Sequence, residues 1–227
     1  MYYFKLARGL LANWAIYGLA LFLPAGTLVW PAAWVFVGAV TVVYIAMGIW
    51  IFPKRPDLLD ERSKLPLQKG QPLADKVVLI LILVVNLAVT VFIPLDVFRW
   101  HLLPPPSLAI SVLGLVLVLA GLAMIYLCFQ ENAFAAPVVR YQEERRHSLV
   151  DTGVYRFVRH PMYSGAVLLV PGSALWLDSF AAAVLSIFPI LLLVIRISIE
   201  ERLLVEKLQG YEAYRQRVRF RLIPFVW

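Results

Sequence analysis

A helix needs about 20 consecutive apolar residues to cross the hydrocarbon core of a bilayer. Residues about 10–29, 31–52, 77–95 and 107–128 each supply such a run between charged borders. A fifth apolar region, about 162–195, is too long for one span, and Trp176-Leu177-Asp178-Ser179 interrupts it with the small polar residues of an interfacial turn. It reads as a helical hairpin whose first arm is short and contains Pro171 and Gly172. The expected fold is therefore all-α: a polytopic transmembrane helix bundle with about six membrane crossings, including the C-terminal hairpin. Residues 1–106 form its N-terminal helices and a long polar loop. Residues 107–227 hold a helix, a polar segment, the hairpin and a C-terminal helix. Pro104-Pro105-Pro106 is a stiff connector.

Lys5 and Arg8 ahead of an apolar stretch imitate a secretory leader, but the stretch continues past Pro24 without a small-residue cleavage pattern, so a first span is expected. Composition supports this, with 62% hydrophobic and 15% charged residues, against about 25% charged in soluble domains. The net charge of +7 does not point to nucleic acid, because the basic residues are dispersed between apolar runs and form no stacking motif or recognition helix. Cys128 is the single cysteine and ends an apolar run, which excludes an internal disulfide or a CxxC metal site and suits a buried inert thiol. No metal site is expected.

Cytoplasmic loops hold the excess of positive charge. Of the 21 Lys and Arg, only Arg99 falls on the opposite side of the expected topology. The others lie before residue 9, in 53–76, in 129–161 and from 196 onward. This places both termini in the cytoplasm, as in an integral protein of the inner membrane.

Two of the charged segments carry more than orientation requires. The first runs from His147 to Gly165 and includes Arg159-His160-Pro161-Met162-Tyr163. Thr152-Gly153 reads as a turn. Pro161 fits the first helical position, where its missing N–H removes no bond. Arg159 and His160 would then flank free helix N-terminal amides, a place suited to a ligand carboxylate. The second segment holds Glu200-Glu201-Arg202-Leu203-Leu204, then Gly210-Tyr211-Glu212-Ala213-Tyr214 and Arg217-Val218, then Ile223-Pro224. Adjacent carboxylates at the end of a spanning helix repel unless one is paired, protonated or faces a cation. Tyr211, Tyr214 and Val218 share a helical face that could close over the first segment.

Together these residues form the pattern H-x-L-V-x-x-G-x-Y-x-x-x-R-H-P-x-Y-x-G, then E-E-x-x-L, then G-Y-x-x-Y-x-x-x-V, then I-P. Over roughly residues 129–224 this resembles the isoprenylcysteine carboxyl methyltransferase family of integral membrane methyltransferases, in particular its bacterial branch. Asn132-Ala133-Phe134 with Val138-Val139-Arg140 agrees with that branch. The eukaryotic pattern has proline directly after the valine that follows its arginine, whereas Arg219 follows Val218 here. The resemblance implies a cytoplasmic S-adenosylmethionine pocket without a Rossmann domain and a lipid-facing opening for a lipophilic acceptor, with a carboxylate the leading choice. By position it implies that His147, Leu149, Val150, Gly153, Tyr155, His160, Pro161 and Tyr163 bind the cofactor, completed by Glu200 and Glu201. Arg217 falls where the family has an arginine near the acceptor, making it the main catalytic candidate. Glu201 would serve as general base for an amine or phenol.

Plainer roles stand beside these. Arg156, Arg159, Arg215, Arg219 and Arg221 suit lipid head groups, and Glu200 could pair with Arg196 one helical turn earlier. Tyr211 and Tyr214 fit an aromatic belt as well as a pocket. Asn86 must find a partner inside the bundle. Two other functions remain open: a membrane reductase using NADPH on a sterol-like or isoprenoid substrate, and a lipid-binding or transport scaffold. The reductase would need further cations for a phosphate cluster. A transporter would show inverted repeats or ionisable residues at mid-membrane depth. The expected partners are a lipophilic small molecule and membrane lipids; the sequence does not determine oligomeric state.

Overall fold

A computed structural model describes residues 2–227, and among these every regular element is helical. Five helices are long and apolar enough to cross a membrane: α1 (Tyr2–Ala25), α2 (Pro31–Trp50), α4 (Leu73–Trp100), α5 (Leu108–Glu131) and α7 (Phe180–Lys207). Shorter helices are α3 (Pro56–Arg62), α6 (Pro161–Trp176) and α8 (Tyr211–Arg217). Wide π-type turns occur at Gly18–Phe22 and Asp96–Trp100, each within a few residues of a proline, Pro24 and Pro94, that withholds a backbone donor.

The hairpin is present, with its turn where the sequence places it. Asp178 adopts φ +66°, and Ser179 caps α7 by accepting from Ala182 N. Its short arm, α6, has 16 residues, about 24 Å of helix and less than a full bilayer core. It is held instead by its neighbour α5. A Cβ on Gly121 would lie 2.6 Å from Gly165 O, and one on Gly114 would lie 2.6 Å from Trp176 N, so the two backbones approach as only glycine permits.

Several boundaries differ from the sequence expectation. The first helix begins at Tyr2 rather than near residue 10, because Lys5 and Arg8 reach out of it to Asp60 and to Ser63 O. The third span starts at Leu73 and so includes Asp75, which is fully buried. Its carboxylate accepts from Arg196 Nε at 2.9 Å, Gln71 Nε2 at 2.6 Å and Val139 N at 3.0 Å, the satisfied arrangement a buried anion requires. Arg196 therefore pairs with Asp75 and not with Glu200. Asn86 bonds back to Ile82 O on its own helix at 2.8 Å and does not bridge two helices.

At the charged end, the α2–α4 loop, the segment after α5 and the C-terminal stretch meet. Arg55 Nη1 donates to Glu131 O at 3.1 Å, and Arg140 pairs with Glu61 at 2.9 Å and Glu144 at 2.6 Å. Burial raises the Glu61 pKa, but its bonds to Lys64 and Arg140 outweigh this and hold the carboxyl below its ordinary range.

Candidate functional site

The two motif segments are joined backbone to backbone. Arg159 N donates to Phe220 O and His160 N to Arg221 O, each at 2.9 Å, and Ser164 Oγ donates to Leu222 O at 2.6 Å. Pro161 opens α6 as expected, so the chain turns from this short pairing directly into the hairpin. Beneath it lies a buried charge cluster. Arg159 donates from Nε to Glu201 Oε1 at 2.6 Å and from Nη1 to Val218 O and Arg219 O. His160 Nε2 lies 3.2 Å from the same Glu201 oxygen, while Arg221 Nε donates to Glu201 Oε2 at 2.9 Å.

The next glutamate has a different environment. Glu200 accepts from Tyr163 Oη at 2.7 Å and has no ion pair among the described residues. Tyr163 stacks on the His160 ring at 5.7 Å, aligning the RHP segment with α7.

The other wall comes from the irregular chain after α5. Asn132 donates to Tyr155 Oη at 3.0 Å and accepts from Phe134 N, fixing the turn out of the helix. Gln142 is 1% exposed and holds Phe134 O at 2.7 Å. Gly153 adopts φ +55°, and a Cβ there would meet the Glu131 side chain at 2.4 Å. Thr152 Oγ1 donates to the same carboxylate at 2.8 Å. On α8, Tyr214 Oη donates to Tyr155 O at 2.8 Å and brings that helix against the wall.

These elements enclose a cavity of ≈ 110 Å³. His147, Leu149, Val150, Tyr155, His160, Pro161, Tyr163 and Glu200 all line it. Gly153 does not, and shapes the turn beneath; Glu201 lies behind His160, within the charge cluster. Arg217 also stands outside the cavity wall. Its side chain is 63% exposed and paired with Asp151, whose neighbour Val150 does line the cavity. Tyr211 and Tyr214 are pocket residues, 3% and 2% exposed, and do not form a belt. Arg159 is likewise buried and fully engaged by protein groups, so it does not meet lipid.

The structure adds Gln142 and Arg196, which the motifs did not supply, and puts Phe134 of the Asn132-Ala133-Phe134 stretch on the wall. Arg196 carried a signal. A cation inside an apolar run needs a buried anion, and Asp75 at the edge of another such run could provide one. Gln142 carried none, because it acts through loop geometry.

Three wall atoms are buried without a hydrogen-bond partner: Arg140 Nε, His147 Nδ1 and Tyr211 Oη. The His147 ring is stacked between Phe134 at 4.5 Å and Tyr141 at 5.6 Å. Burial, and then the charges of Arg145 and Arg140, push its pKa down to about 4, so the ring is neutral near pH 7. Burial pushes the Tyr155, Tyr211 and Tyr214 phenols up, keeping them as neutral hydroxyls. An orphaned polar atom in a wall is satisfied when a polar ligand reaches it, and these three suit a ligand with donors and acceptors along its length.

The model of one protein family, described as phospholipid methyltransferase, matches residues 109–210. Among solved structures, a eukaryotic intramembrane Ras methyltransferase, isoprenylcysteine carboxyl methyltransferase, has a similar fold. The two share 22% identity with a TM-score of 0.54, over 94% of this chain and 75% of that one. No curated protein matches the chain by sequence. The family match spans α5, the first motif segment, the hairpin and the paired glutamates, and the structural likeness shows a shared fold.

Proposed function

We propose that this protein transfers a methyl group from S-adenosylmethionine to a lipophilic acceptor at the cytoplasmic face of the membrane. One observation carries the reading: every arginine on the cavity wall is matched by carboxylate, whereas Glu200 faces the cavity without a cation. Arg140 is matched by Glu61 and Glu144, Arg159 by Glu201, and Arg196 by Asp75. A wall of this kind suits a cationic ligand and offers no unpaired cation to a polyphosphate, which separates a sulfonium donor from NADPH.

The donor supplies a methyl carbon already activated by its sulfonium sulfur, so the acceptor's lone pair forms the new bond as the carbon–sulfur pair passes to sulfur. The protein's task is therefore alignment and exclusion of water. Glu200, held by Tyr163, faces the positive charge; His147 and Tyr211 offer their unpartnered atoms to the polar parts; and Leu149, Val150 and Pro161 supply apolar contact. Gly153 and Glu201 act through the wall they support. Glu201 already takes three donors on its two oxygens, which suits holding the RHP segment more than accepting a proton. Arg217, at the rim, is placed to meet an acceptor carboxylate once it leaves Asp151, and a carboxylate acceptor requires no base.

At ≈ 110 Å³ the cavity is smaller than the about 300–1,000 Å³ of typical ligand sites. A nucleoside-sized donor therefore requires the wall to widen as it binds. The reading is tested by calorimetric titration of the detergent-solubilised protein together with labelled methyl transfer to lipid extracts. Binding of S-adenosylmethionine and a labelled lipid product are expected. Tight NADPH binding without response to S-adenosylmethionine would replace it with a reductase.

A further inference from the structure

We propose that a second cleft, between the ends of α2 and α5, binds the phosphate of an anionic phospholipid. The cleft measures ≈ 730 Å³ and is lined by Trp50, Ile51, Lys54, Arg55, Tyr126 and Gln130. None of these six lines the cavity described above, so the proposal does not depend on the methyl-transfer reading.

The charge pattern is the first argument. Several cations at this end are matched by carboxylate, Lys5 by Asp60, Lys64 and Arg140 by Glu61, Arg159 by Glu201 and Arg196 by Asp75, while others stand singly on exposed chain. The cleft contains two basic residues and no acidic one, and neither Lys54 nor Arg55 has an ion pair among the described residues. Arg55 is not a loose surface charge, because its Nη1 is tied to Glu131 O at 3.1 Å. That bond fixes the guanidinium in the cleft with further N–H groups available, the fork that recognises a phosphate.

The depth of the cleft in the membrane is the second argument. α2 ends at Trp50, and Tyr126 and Gln130 lie in the last turns of α5, so the cleft sits at the border of two apolar spans. Trp50 is 59% exposed there, and tryptophan and tyrosine favour head-group depth. Ile49 and Leu127 beside it are exposed apolar side chains on the spans themselves, a surface for the acyl chains of a lipid whose phosphate occupies the cleft. A free phosphate would use the two cations and leave this surface unexplained.

The test is native mass spectrometry of the purified full chain after incubation with phosphatidylglycerol, phosphatidylcholine or inorganic phosphate. A cation near an anionic lipid contributes about fivefold in affinity. Lys54 is exposed and bonds to no other side chain, so Lys54→Gln should fold normally. It is expected to retain about fivefold less phosphatidylglycerol, with a larger loss when Arg55→Lys is added to remove the fork. Lys69→Gln, in the exposed loop outside the cleft, should retain as much as wild type. Equal retention of the two lipids by wild type, equal losses in Lys54→Gln and Lys69→Gln, or displacement of phosphatidylglycerol by inorganic phosphate would each overturn the proposal.

Discussion

Arg159 Nε lies 2.6 Å from Glu201 Oε1, with both side chains 5% exposed, although 42 residues separate them in sequence. The contact binds the segment before the hairpin to the helix after it. Removing one partner of a buried pair leaves an uncompensated charge and costs about 3–5 kcal/mol. Glu201→Ala would strand both Arg159 and Arg221, so it is expected to lower the thermal midpoint in detergent sharply. Glu201→Gln, which keeps the hydrogen-bond acceptor, should lower it less. Midpoints for both variants equal to wild type would show that the cluster does not hold the two segments together.

The neighbouring carboxylate gives the opposite expectation. Glu200 contributes no ion pair to the fold, so Glu200→Gln should leave stability within about 0.5 kcal/mol. Its effect should appear in binding. S-adenosylmethionine carries one more positive charge than S-adenosylhomocysteine, and losing a facing anion is expected to weaken the charged ligand about tenfold more than the neutral thioether. Equal weakening of both, measured by calorimetry, would place Glu200 away from the sulfonium.

The fold was largely legible because hydropathy sets helix length and turn residues set the hairpin. Five spans and the Asp178-Ser179 turn fall close to where those patterns put them, while α6, expected as a sixth crossing, is shorter than a full span. Helix ends were less legible. Lys5, Arg8 and Asp75 look like boundaries by charge, yet lie inside helices because partners far away in sequence satisfy them. Within the site, the motif resemblance singled out the RHP residues and helical spacing singled out Tyr211 and Tyr214, and the structure brings them to one cavity wall. The pairing of Arg196 with Asp75 depends on two helices meeting, and no spacing within one segment encodes it. The wall formed by Phe134 and Gln142 depends on loop hydrogen bonds and has no periodicity to read.

His147 makes folding pH-dependent. Its pKa is about 4 in the folded chain against an ordinary value of 6.5, so the unfolded chain binds the extra proton first. Stability is fully present above about pH 6.5 and falls as pH drops toward 4, levelling off below that. His147→Gln is expected to flatten this part of the thermal midpoint profile measured between pH 7 and pH 4. A profile that keeps its slope in the variant would assign the acid sensitivity to other groups. In the folded wild type the ring takes its proton only around pH 4, adding a positive charge to the wall proposed to take a cation, so S-adenosylmethionine affinity should hold from pH 7 and fall as the pH passes through about 4.

Arg217 and Asp151 form an exposed ion pair beside the cavity, with side chains 63% and 36% exposed. Exposed pairs contribute at most about 1 kcal/mol to stability, so neither Arg217→Ala nor Asp151→Asn should change the thermal midpoint appreciably. Their effects on turnover should differ. If Arg217 holds the acceptor, Arg217→Ala should reduce turnover by about 10²-fold, the scale of losing one well-placed charged contact in the transition state, with little change in cofactor affinity. Asp151→Asn frees the guanidinium and should lower the apparent KM for a carboxylate acceptor while leaving that for an uncharged acceptor unaltered. The Asp151 variant supplies the sharper test, because a merely structural ion pair would lose the same stability from either side. Unchanged kinetics in both variants, measured as labelled methyl transfer, would remove Arg217 from the reaction and leave acceptor recognition to the cavity wall.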